Sequence, residues 1–197
     1  MSENNIITHS ELVWKLVKSG ETIRQELTAC QCNVLHLTLA LAGEIAELAI
    51  PLRGWDHYAV PLDNSNILEE FGDIEFFLEG IRQELGLNYE DSLKRADQVE
   101  IDTLNNYSLS HDVESLFIAT GRLIDAIKRW AIYRKYLDIN EVMISLGNME
   151  VYLESIRRMF SIKRVQTQNN NIEKLSKRYK ELSYSDESAN ERVDKKE

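Results

Sequence analysis

Cysteine, proline and glycine are all scarce in this chain of 197 residues, which holds 2, 2 and 8 of them. So few breaking residues leave little room for short strands and tight turns, while apolar residues recur at helical spacing over long stretches. An all-α fold is therefore expected. Cys30 and Cys32 stand one residue apart near the start of an apolar helical run. Even with His36 they fall one ligand short of a zinc site, and they read as free thiols in a reducing cytoplasm. An apolar N-terminal segment is also missing, and no run of about 18 residues is free of charge. Neither export nor membrane attachment is expected. Positive charge is the minority sign, with a formal net charge of -10, which excludes sequence-independent binding to a nucleic-acid backbone. A phosphate-bearing substrate stays admissible if divalent cations stand between it and the acids.

What the chain does have is a 43% hydrophobic composition, enough for one well-buried domain or two small ones that share a core. A first helix is expected from Ser10 to about Ala29, weak at Gly20. A second is expected from Gln31 to Leu52, its stripe including Val34, Leu41, Ile45 and Leu48, and failing at Pro51. The segment 53–66 reads as a loop. A third helix runs from Asn66 to Leu85 and closes at Gly86, and Asn88 opens a fourth, to about Thr103. Ser110 or Asp112 begins a long helix to about Tyr136, and Asp138 with Glu141 forms a capping pattern for another, to about Phe160. Residues 166–182 are basic and partly helical, and 183–197 is a charged tail, mobile unless something orders it.

A weak internal repeat underlies this order. Gly72, Glu75, Leu78, Glu79, Ile81 and Arg82 recur in register as Gly147, Glu150, Leu153, Glu154, Ile156 and Arg157. The implied division is 1–108 as a catalytic helical half, 109–165 as a degenerate second half forming a pseudo-dimer with it, and 166–197 as a basic segment and tail.

Two pairs of acids carry the chemistry. Glu44 and Glu47 are three apart on the second helix, and Glu70 and Asp73 three apart on the third, so each pair projects from one helical face. Both pairs border the packing stripe, where unpaired charge is costly. Hard divalent cations remove that cost, and Mg²⁺ binds through a few carboxylates together with substrate phosphates. A solvated acidic face is the competing reading.

The pattern Glu44-x-x-Glu47 followed by Glu70-x-x-Asp73, set in Ala42-Gly43-Glu44-Ile45-Ala46-Glu47-Leu48 and Glu69-Glu70-Phe71-Gly72-Asp73-Ile74, resembles the MazG-type all-α nucleoside triphosphate pyrophosphohydrolases. That superfamily also takes in dimeric dUTPases. Asn171-Ile172-Glu173-Lys174-Leu175-Ser176-Lys177-Arg178-Tyr179 is similar to a basic segment of its short members, and Ala189-Asn190-Glu191-Arg192 to the run that follows it. The resemblance implies a helical bundle that cleaves a nucleoside triphosphate between the α- and β-phosphates, releasing pyrophosphate. Mg²⁺, with Mn²⁺ as the alternative, would be held by Glu44, Glu47, Glu70 and Asp73, the catalytic set. It also implies phosphate contacts from Asn171, Lys174 and Arg178, spaced to share one helical face, with Arg53 as a further contact. A homodimer built on the pseudo-dimer is compatible with it.

His36 suits a base or sugar pocket or a structural role, and Trp55, His57 and Tyr58 suit base stacking or core cover. Under the repeat, the four acids correspond to Arg122, Asp125, Ser145 and Asn148, a set unable to hold the same metals. Arg122, Lys128 and Arg129 are then candidates for phosphate contacts. A nucleotide sensor without turnover and a helical adaptor stand as the alternatives to an enzyme.

Overall fold

The computed structural model describes residues 7–97 and 108–195, and among them there is no strand. The helices are α1 (His9–Leu16), α2 (Gly20–Glu26), α3 (Ala29–Tyr58), α4 (Asn64–Leu85), α5 (Tyr89–Leu93), α6 (Leu109–Ala131), α7 (Ile139–Met159), α8 (Arg164–Arg178) and α9 (Asp186–Glu191), with a 3₁₀ turn at Val193–Lys195. The all-α expectation holds.

Local chemistry explains most boundaries. Thr8 and Glu11 form a capping box at α1, and Thr28 and Gln31 form another at α3. The single helix expected over residues 10–29 is instead two, because Val17 turns extended and the Ser19 hydroxyl accepts from the Thr22 N–H to start again. Asp138 caps α7 through the Glu141 N–H. Gly86 closes α4 with φ +65°, as its position requires. The fourth helix is shorter than expected, ending at Leu93 with Lys94 as its C-cap, and the expected end at Thr103 lies outside the described residues.

The larger departure is at Pro51. Helix α3 runs through it to Tyr58, closing on Ala59 in the left-handed region. An interior proline removes one backbone hydrogen bond and crowds the carbonyl four residues back, at a cost of about 3 kcal/mol. Tertiary packing offsets this: Leu52 is fully buried, and Trp55 meets Phe160 edge to face at 5.3 Å. By length and hydropathy alone α3 would pass for a membrane-crossing helix. Its buried stripe of Val34, Leu41, Ile45, Leu48 and Leu52 packs into a core shared with α4, α6 and α7.

Two pairs of helices engage reciprocally. Helix α5, which follows α4, packs on α7, while α8, which follows α7, packs on α4. Arg82 pairs with Glu150, and Arg157 donates to Glu75 at 3.0 Å, so the aligned residues of the repeat exchange partners. All four side chains are buried. Arg164 adds a bond to Glu75 at 2.7 Å and lies 3.9 Å over the Tyr89 ring.

Candidate functional site

Helices α3 and α4 lie antiparallel, which brings Glu44 and Glu47 opposite Glu70. One oxygen from each of these three carboxylates falls within 4.8 Å of the others. Glu70 is buried, Glu44 half-buried and Glu47 exposed. Burial, then the charge of neighbouring carboxylates, pushes Glu44 and Glu70 up to about 7 each. Such a set of hard oxygen donors, crowded and short of positive charge, suits a divalent cation of the Mg²⁺ type.

Asp73 stands one turn further along α4 and has protein partners. The Asn171 amide donates to it at 2.7 Å, and the Lys174 ammonium lies 2.5 Å from its carboxylate and 3.3 Å from that of Glu69. Helix α8 can deliver these groups because Gly72 has no side chain: a Cβ there would lie 2.9 Å from Asn171 Cβ and from the Thr167 carbonyl oxygen. One turn beyond Lys174, Arg178 forms a two-pronged pair with Asp194, Nε to Oδ1 and Nη2 to Oδ2 both at 2.7 Å. That pair holds Asp194 down at about 2 and raises Arg178. It also ties the C-terminal segment to α8.

The four acids face a cavity of about 950 Å³, whose walls include His36 and Leu37 from α3, Phe76 and Phe77 from α4, and Arg178, Tyr179, Tyr184 and Arg192 from the C-terminal segment. Its lining therefore combines acidic, basic and aromatic side chains. His36, the four acids and Arg178 all reach this cavity, and Asn171 and Lys174 adjoin it through Asp73. Arg53 does not. It lies on a second, smaller cavity with Asp56 and His57, on the turn of α3 that continues beyond Pro51, while Trp55 packs on Phe160. The part of the expected loop that carries these residues is helix as far as Tyr58, and only 59–63 is loop. Phe76 and Phe77 were not singled out from sequence, although they lie three and four residues after Asp73, on the acid face. Arg192 lies in the run that resembles the family's C-terminal segment, whereas Tyr184 carried no local signal, and the fold of the tail brings both back to the cavity.

The corresponding place in the second half is occupied by ion pairs. Arg122 bonds to Glu141 at 2.8 Å and lies 3.6 Å from Asp97, Asn148 donates to Asp97 at 2.9 Å, and Asp125 is met by Lys128 at 2.6 Å and Arg129 at 3.1 Å. These cations are spent on neighbouring acids.

The fold is all-helical among the described residues, and its acid cluster lines a partly aromatic cavity. A family model described as dUTPase matches residues 16–182, most of the chain. The chain belongs to that dUTPase family. No curated protein and no solved structure matches it.

Proposed function

We propose that this protein is a Mg²⁺-dependent nucleoside triphosphate pyrophosphohydrolase, cleaving its substrate between the α- and β-phosphates to a nucleoside monophosphate and pyrophosphate. The observation that carries the reading is the convergence of Glu44, Glu47 and Glu70 on the wall of a cavity large enough for a nucleotide. Membership of the dUTPase family makes dUTP the first substrate to test.

Glu44, Glu47 and Glu70 would hold the metal, with Asp73 as the fourth acid. Bound Mg²⁺ would neutralise charge on the phosphate oxygens and make water a better nucleophile at neutral pH. Asn171 and Lys174 fix the Asp73 carboxylate and place one cation beside the acids. Arg178 offers a planar fork suited to phosphate. His36, Leu37, Phe76 and Phe77 supply the apolar and stacking surface for sugar and base.

The reciprocal exchange of Arg82–Glu150 and Arg157–Glu75 supports reading the chain as two copies of one unit facing each other. Ion pairs fill the second copy where acids stand in the first, so one active site per chain is proposed. Incubation with each common NTP and dNTP, with Mg²⁺ or with a chelator, tests the function. Pyrophosphate release that requires Mg²⁺ and falls by more than about a hundredfold in Glu70→Gln is expected, a loss beyond that of a residue merely supporting a metal ligand. Tight binding without release would favour a sensor, and neither would favour an adaptor.

A further inference from the structure

The C-terminal segment follows α8 back over the cavity. Its large apolar side chains do not hold it there: Leu182 is 79% exposed and Tyr184 73%. Its acidic end behaves differently, since the Asp194 side chain is 2% exposed and that of its partner Arg178 13%. Leu182, Tyr184 and Arg192 line the same cavity as Glu44 and Glu47. Asp194 itself lines a recess together with Lys174 and Glu69, next to the acid cluster.

A carboxylate and a phosphate present the same two-oxygen edge to a guanidinium, and both are bound bidentately. The Nε and Nη2 donors of Arg178 that Asp194 occupies are those a phosphate would take in the same geometry. One fork cannot serve both anions at once. The carboxylate is tethered by about fifteen residues of its own chain, so it competes at the high effective concentration of an intramolecular ligand.

We propose that residues 182–194 form a strap across the cavity mouth and that Asp194 is its latch, holding on Arg178 the place that a substrate phosphate takes when the strap opens. The inference rests on reading the cavity as a triphosphate site. It makes the tail a regulator of that site: an anion of the chain is exchanged for an anion of the substrate, and the strap, with Arg192 and Tyr184, is released from its resting position.

The test uses the full chain, with inorganic tripolyphosphate and Mg²⁺ as the probe in isothermal titration. Asp194→Asn should bind it about tenfold more tightly, the gain when a competent fraction near one tenth rises towards unity. In the Arg178→Gln background the same substitution should change nothing, because the fork for which it competes is gone. Unchanged or weaker binding by Asp194→Asn overturns the proposal, weaker binding meaning that Asp194 props Arg178 for the phosphate. Proteolysis of the unaltered chain is independent of any variant's folding. Tripolyphosphate should speed tryptic cleavage at Lys180 and Arg192, and unchanged or slower cleavage contradicts a strap that opens. If both results hold yet no nucleotide is hydrolysed, the latch stands and the enzymatic reading falls. Turnover with no gain in affinity gives the reverse, and no binding by any form overturns both.

Discussion

At the scale of single residues, the site is defined by where negative charge is left without a partner. Asp73 has Asn171 and Lys174, whereas Glu44 and Glu70 are pushed up to about 7 by burial and by each other's neighbours. Their ordinary value in the unfolded chain is 4.5, so in metal-free protein their contribution to stability is complete below about 4.5. It is lost as pH rises towards 7, because the folded state must release protons it binds more tightly. Mg²⁺ takes the place of those protons. The rise in melting temperature on adding Mg²⁺ is therefore expected to be larger at pH 8 than at pH 5.5, and to shrink in Glu44→Gln. A rise independent of pH would contradict the site. The four acids were legible in the sequence because i, i+3 spacing fixes a shared face before any tertiary contact is known. Arg178 was legible as a cation, but its partner was not: nothing local places Asp194 beside it.

At the scale of elements, two glycines decide how closely helices approach. A Cβ at Gly147 would lie 2.3 Å from the Ser92 carbonyl oxygen of α5, and one at Gly72 2.9 Å from Asn171 and Thr167 of α8. Either alanine forces a packed helix outward, with an expected loss of about 1–3 kcal/mol by overpacking. The consequences for function differ. Gly72→Ala should also lower pyrophosphate release per folded molecule, since α8 carries Asn171 and Lys174 to Asp73, while Gly147→Ala should not. Thermal denaturation and turnover measured on the same samples separate the two. Helix starts at Asn88 and Asp138 could be read from side chains that cap their own backbone, whereas the cap at Thr28 fell inside the expected first helix. The continuation of α3 past Pro51 could not, because the local cost of the proline is outweighed by Leu52 and Trp55 in contacts that only the fold supplies. For the same reason Arg53 was expected near the phosphates and lies on another cavity.

At the scale of the whole molecule, the halves are tied by four buried charges in mutual exchange. Removing one partner of such a group strands the others without solvent, at about 3–5 kcal/mol. Arg157→Ala should cost about that much in denaturant unfolding, and a loss below about 1 kcal/mol would show that the network does not join the halves. Gly, Glu and Arg recur in register between the two segments, but sequence could not say that Glu75 would meet Arg157 rather than its own helix. The central claim is that one acid cluster per chain cleaves a triphosphate at its α–β bond. ³¹P spectra of dUTP incubated with the protein and Mg²⁺ test it most directly. The account predicts signals of nucleoside monophosphate and pyrophosphate, absent with a chelator or with Glu70→Gln; orthophosphate and a diphosphate as the first products, or turnover that survives Glu70→Gln, would contradict it.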